Sequence, residues 1–324
     1  MGADSTFDKG SDQTMKRNVL LLLSLFCASC VSVFTQTFTP DTSLVIDPTP
    51  QEASAFYDKT RPPFLAVYQK GKKTLVLLAA SHGPQSLPAV QYAFEEYTPN
   101  VALIEREPGF PFGNCNEHED AYTAALSGKN NIPLVRTDAD LETQWKYAKK
   151  HGFSYDDFQM FWIIRNAYGF AKYEGKQTNA AQEIRDYKRT VHNPVWGELF
   201  TEERLLAYFN KHYHKDFNTT DFISFYMDLM EVSPKEWVRE TPFYKIMHGQ
   251  PDVRSVFMLE NIAAALNEYQ VVFSEMGAGH FIDIHKALEK MLGKPHYITA
   301  DQLPTQQIWQ DCTLDGLQEK VLVP

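Results

Sequence analysis

Two histidines and a glutamate each follow a short apolar run in this chain. Leu75 to Ala80 leads into Ser81-His82-Gly83, Val101 to Ile104 leads into Glu105, and Gln270 to Ser274 leads into Glu275-Met276-Gly277-Ala278-Gly279-His280. Imidazole and carboxylate groups in this pattern suit two chemistries. In the first, His82, Glu105 and His280 hold a divalent metal with open positions that activates water. In the second, the same groups act as base and acid around a scissile carbonyl, with Arg254 stabilising the oxyanion. The plainer alternative makes both histidines core residues and pairs Glu105 with Arg254. Removing Glu105 is expected to abolish turnover with little loss of fold, if the residue is there for chemistry.

The elements that must position these groups follow from hydrophobic patterning. Continuous rather than alternating apolar runs are what parallel strands covered on both faces show. Between the first two runs, Val90, Phe94 and Tyr97 recur at helical spacing, which gives a crossover helix and a βαβ unit. Ligands of such units sit beyond the carboxyl ends of the strands, where His82 and Glu105 stand. Phe64 to Tyr68 and the Leu75 strand form a hairpin around Gly71. A helix over about 117–126 precedes a third short strand, Ile132 to Val135, which runs into Asp138 and Asp140; Asp140 reads as the N-cap of the next helix. Arg254, Met258, Asn261 and Ala265 share one face of a helix ending near Asn267. The last strand-to-loop passage, at Gly277 and Gly279, permits close backbone approach, and the helix from Ile282 to Leu292 offers a positive N-terminal end. His296 to Ile298 reads as a final strand.

The fold class is therefore α/β: a mostly parallel sheet with flanking helices over 56–140 and 250–324, interrupted by a large all-helical insertion over 141–249. Within the insertion Phe158, Phe161, Trp162, Tyr168 and Tyr173 stand at helical spacing and read as helix–helix core. His212 and His214, two apart on a helix, do not share a face, and His192 reaches a pocket only if the insertion folds over it.

The chain has 324 residues, 44% of them hydrophobic, with a formal net charge of −10. That balance opposes nucleic-acid binding, which needs a basic surface. Near the start, Met15-Lys16-Arg17 precedes the apolar run Val19 to Phe26 and then small residues, the pattern of an export signal. Cys27-Ala28-Ser29-Cys30 resembles a bacterial lipobox. It predicts lipidation of Cys30 and a membrane anchor on an exported protein, with a cleaved signal peptide or an uncleaved anchor as alternatives. Residues 1–34 are thus leader, and 35–55, rich in Thr, Pro and Ser, a tether. Cys115 and Cys312 remain as the thiols of the body. An oxidising compartment permits a bridge between them, with two separate buried thiols as the alternative.

These residues carry a resemblance to the TraB/PrgY/GumN/TIKI superfamily and its erythromycin-esterase-like relatives. Gly277-Ala278-Gly279-His280 matches the late Gly-x-x-His motif. Ala79-Ala80-Ser81-His82 stands for the early one with alanine in place of glycine, while Ser81-His82-Gly83 is closer to the esterase-like branch. Ile104-Glu105 matches the strand-end glutamate, the strand ending in Asp138 resembles the TraB type, and Arg254-x-x-x-Met258-x-x-Asn261 resembles the arginine-bearing helix. The resemblance implies a hydrolase, metal-dependent and peptidase-like or else esterase-like, acting on a small molecule or peptide. It also suggests a rival, a haem- or ligand-binding surface lipoprotein with His82 or His280 as axial ligand; a third reading is a non-enzymatic surface or signalling factor.

Overall fold

The computed structural model describes residues 37–46, 48, 50–106, 111–190, 197–229, 235–248, 252–303, 308–309 and 312–320. Lys16, Arg17, Cys30 and the rest of the predicted leader lie outside these, as does His192. Along the chain come α1 (Pro50–Tyr57), β1 (Phe64–Lys70), β2 (Lys73–Ala80), α2 (Leu87–Tyr97), β3 (Val101–Ile104), α3 (Glu119–Asn130) and β4 (Leu134–Arg136). Seven helices follow: α4 (Leu141–Lys150), α5 (Tyr155–Glu174), α6 (Ala180–Thr190), α7 (Glu202–Tyr213), α8 (Phe222–Leu229), α9 (Glu236–Arg239) and α10 (Pro242–His248). The α/β pattern resumes with α11 (Val253–Glu268), β5 (Val271–Gly277), α12 (Ala278–Leu292), β6 (His296–Thr299) and β7 (Glu319–Lys320).

The seven strands form one sheet in the order β6-β1-β2-β5-β3-β4-β7. β1 pairs antiparallel with β2 and β6, while β2-β5, β5-β3, β3-β4 and β4-β7 are parallel. The central strands read as unbroken apolar runs because both faces are covered. Leu75, Leu77 and Ala79 of β2 face one core with Met258, Ile262, Phe281 and Leu288 of α11 and α12. Val76, Leu78 and Ala80 face the other, with Val90 and Phe94 of α2 and Tyr122 of α3. The described residues between β4 and α11 contain no strand, and their aromatic stripe, Phe161, Phe209, Phe217, Phe225 and Phe243 among it, packs as a separate apolar core. Among the described residues no helix is long and apolar enough to cross a membrane.

Three expectations need correction. The predicted tether is in large part docked: Phe38 and Val45 are buried in the core of α11 and α12. The backbone of Phe38 exchanges hydrogen bonds with the Asn267 side chain at 2.7 and 3.0 Å, and Ile46 N–H donates to the Asp283 carbonyl at 3.1 Å. Two apolar anchors outweigh a Thr/Pro-rich composition. Next, β5 continues through Glu275 and Met276 to Gly277, because its ladder to β2 runs to the Ala80–Gly277 pair. Finally, α12 begins at Ala278, so His280 stands in the first turn of a helix rather than in a loop. Outside the site, β7 went unforeseen; two residues are too short to leave a periodic signal.

Candidate functional site

β5 lies between β2 and β3, so His82, Glu105 and His280 follow three adjacent parallel strands and emerge at one edge of the sheet. His82 takes the left-handed conformation, φ 52°, a turn that ends β2 abruptly and that histidine tolerates better than most residues. Arg254 sits in the first turn of α11, where Asp252 caps the helix by accepting from Arg254 N–H at 3.0 Å.

Glu105 is the hub. Its Oε1 accepts from Arg254 Nη2 at 2.7 Å and lies 3.3 Å from His280 Nε2, while its Oε2 accepts from Gly277 N–H at 2.5 Å. Arg254 also forms a two-pronged bond with Asp138 through Nε and Nη2, both at 2.7 Å. Burial alone would raise the Glu105 carboxyl, but His280, Arg254 and His82 hold it well below the usual carboxylate range. Burial likewise opposes the charge on Arg254, and Asp138 with Glu105 more than offset it, raising that guanidinium further. A second carboxyl stands behind the first: Glu275, fully buried in β5, accepts from Glu105 N–H at 3.1 Å. Burial, with Glu119, Asp120 and Glu105 nearby, pushes the Glu275 carboxyl well up, which favours its neutral form.

The tautomer of His280 follows from hydrogen counting. Ser255 has one hydroxyl hydrogen, and it goes to Asp283 Oδ2 at 2.7 Å. Ser255 Oγ must then accept from His280 Nδ1–H, 2.8 Å away. Burial lowers this imidazole's pKa, but the adjacent Glu105 carboxylate outweighs it and the net direction is up, which favours an imidazolium donating from both nitrogens.

His82 is held differently. Its Nδ1 is 2.7 Å from Glu119 Oε1, and Gly83 N–H donates to Glu119 Oε2 at 2.9 Å. The hydrogen bond to Glu119 raises the His82 pKa, and the side chain is 62% exposed. Nδ1 thus carries the proton toward Glu119, leaving Nε2 open. A Cβ on Gly277 would lie 2.5 Å from that nitrogen and 3.3 Å from Glu105 Oε2. Only glycine lets the imidazole edge, the carboxylate and the backbone meet there.

The four predicted site residues are therefore brought together, and Glu119 and Asp138 join them. Asp138 was visible as a strand-end acid. Glu119 opens α3, the helix expected over about 117–126, and apart from Asp120 beside it in the first turn nothing marks this acid as a partner of His82. Asp140 is the N-cap it was read to be, accepting from Thr143 N–H at 2.8 Å. Cys115 and Cys312 are disulfide-bonded, with Cα atoms 6.4 Å apart.

For a metal, the predicted set of His82, Glu105 and His280 finds both Glu105 oxygens already bonded and a guanidinium beside them. Among the described residues, the donors that come within 4.8 Å of one another are Asp252, His280 and Asp283, but Ser255 already bridges His280 and Asp283. Neither set accepts a cation without giving up these bonds. As for haem, both nitrogens of His280 are engaged, so Nε2 of His82 is the axial nitrogen left for that reading.

The expectation for Glu105 also changes. Its removal strips the counter-charge from Arg254 and His280 in a buried cluster, a change that typically costs a few kcal/mol, about 3–5 for a fully buried pair.

Comparison with known protein families, with curated proteins and with solved structures finds no match for this chain.

Proposed function

We propose that this protein is a hydrolase of ester or amide bonds that works by acid–base chemistry with His82 as the general base. The observation that carries this reading is the 2.7 Å bond from His82 Nδ1 to Glu119. It fixes the ring and its tautomer and leaves Nε2 bare beside the Glu105–Arg254–His280 cluster. A carboxylate that orients an exposed imidazole in this way has no evident use for packing. The likeness to the esterase-like branch of the TraB/GumN/TIKI superfamily points the same way.

In this scheme His82 Nε2 takes a proton from water as the oxygen adds to the carbonyl carbon. The oxyanion that forms is stabilised by Arg254, whose Nη1 has no partner among the described residues, and by the His280 imidazolium. Collapse expels the alkoxide or amine, which takes its proton from His82, and the free acid leaves.

The test is a panel of 4-nitrophenyl esters and peptide amides assayed with wild type, His82→Ala and Glu105→Gln, with and without EDTA. Turnover that survives chelation and falls at least a hundredfold in His82→Ala supports the proposal. Turnover abolished by chelation and restored by Zn²⁺ overturns it in favour of metal chemistry at Asp252, His280 and Asp283. A Soret band on adding haem, lost in His82→Ala, favours the binding-protein reading.

A further inference from the structure

A cleft of about 200 Å³ opens where the helical insertion meets the sheet edge, with Arg254 and His280 on one wall and Arg165 on the other. Phe158, Phe161 and Arg165 share the face of α5 that lines it, at the i, i+3 and i+7 positions of one helical stripe. The two arginines differ in their company. Arg254 is neutralised by Glu105 and Asp138. Arg165 has no hydrogen-bond or ion-pair partner among the described residues; its guanidinium lies over the rings of Trp162 and Phe161, at 4.9 and 5.5 Å.

A half-buried cation without a counter-charge is costly in a folded protein. The groups facing Arg165 relieve it only in part: Tyr226, Asp252 and Asp138 favour the charge, and none of them bonds to the guanidinium. Arg254 repels it, and the two carboxylates within electrostatic reach are committed elsewhere, Asp138 to Arg254 and Asp252 to the cap of α11 and to His280. The guanidinium lies over the Phe161 and Trp162 rings, whose faces attract a cation without neutralising it, and its planar fork matches a flat acceptor. Around it the cleft is apolar, with Phe158, Phe161, Ile246 and Met247.

We propose that Arg165 is the specificity-determining residue of this cleft and binds a carboxylate carried on an apolar body. The inference rests on the hydrolase reading for the fate of that ligand, but not for its binding. A carboxylate is favoured over a phosphate because Arg254 and His280, the other cationic groups of the cleft, already face Glu105 and Asp138, which leaves Arg165 as its one charge without a paired carboxylate among the described residues; a single unneutralised guanidinium suits a planar monoanion, whereas a dianion calls for more positive charge.

Two arms test it. In the first, thermal unfolding of wild type is followed against rising phenylacetate, phenyl phosphate or the neutral phenylacetamide. Phenylacetate should raise Tm saturably, phenylacetamide should not, and the rise should vanish in Arg165→Gln and be partly restored in Arg165→Lys. No rise with wild type, an equal rise in Arg165→Gln, or a larger one with phenyl phosphate overturns the assignment. If Arg165→Gln fails to fold, Arg165→Lys decides: it must weaken phenylacetate binding at least several-fold. In the second arm, kcat/KM is compared for 4-nitrophenyl hydrogen glutarate and 4-nitrophenyl butyrate. The ratio of the charged to the neutral ester should fall ten- to a hundredfold in Arg165→Gln. Carboxylate binding that needs Arg165 in a protein that cleaves neither ester leaves this inference standing and removes the hydrolase. Cleavage of both esters at a ratio that Arg165 does not change does the reverse.

Discussion

His82 and Glu119 lie 37 residues apart in the chain, and a 2.7 Å hydrogen bond joins them across the mouth between β2 and α3. The bond fixes the imidazole with its far nitrogen outward, and it raises the pKa of the ring. A base must be neutral to act. The acid limb of the pH–rate profile therefore lies above the position an isolated histidine would give. Glu119→Gln removes the charge that raises it, so the limb should move to lower pH while turnover drops about ten- to a hundredfold from the lost orientation. Profiles of kcat/KM for the two proteins between pH 5 and 9 check this. A limb that stays in place would count against His82 as the base.

Gly277 supplies the gap into which the His82 ring fits. In Gly277→Ala the new methyl lies 2.5 Å from Nε2, and the exposed ring can swing away more cheaply than the backbone can. Stability should change little, by about 1 kcal/mol or less, while turnover falls on the order of a hundredfold through misplacement of the base. Thermal melts set beside kinetics separate the two effects. A large fall in Tm with activity per folded molecule retained would contradict this.

The Cys115–Cys312 bridge spans 197 residues of sequence and ties the loop before α3 to the C-terminal stretch. Trp309 N–H donates to the Tyr122 hydroxyl at 3.0 Å close by. Closing so long a loop restricts the unfolded chain, so reduction should cost about 2–4 kcal/mol. Melting with and without a phosphine reductant measures it, and the Cys115→Ser, Cys312→Ser double variant should match the reduced protein.

Glu183 of α6 is fully buried, and among the described residues neither carboxylate oxygen has a hydrogen bond of good geometry, with the Thr178 side chain as its weak polar neighbour. Burial pushes its carboxyl up to about 7. The folded state therefore holds a proton that the unfolded chain releases near its ordinary value. Stability from this group is intact below about pH 4.5, falls as pH rises toward 7, and is level beyond, for a total loss of up to about 3 kcal/mol. Glu183→Gln should be increasingly more stable than wild type from pH 5 to 8, as read by denaturant midpoints. A difference independent of pH would show that the carboxyl is ionised in the folded protein.

The parallel strands were legible because β2, β3 and β5 are buried on both faces and read as unbroken apolar runs that stop at polar residues. For the same reason the positions of His82, Glu105 and His280 could be read directly. Pairing of distant residues was harder. Glu119 and Ser255 act on the two histidines across the fold and carry no local pattern, and neither does Arg165, a single cation in a helix whose aromatic spacing reads only as core. The segment at 38–46 misled through composition: Phe38 and Val45 are only two anchors among threonines and prolines, yet each fills a core position.

The placement of β5 bears on how the protein is made. The strand at the middle of the site comes after the whole helical insertion. His82, Glu105 and Asp138 leave the ribosome long before Arg254 and His280. Until residues 271–277 arrive, β2 and β3 lack the neighbour they share and each presents an open, apolar edge to other chains. A polypeptide released before that strand would be inert and prone to stick to its like, so any catalysis at this edge is confined to molecules whose synthesis has passed the insertion and reached His280.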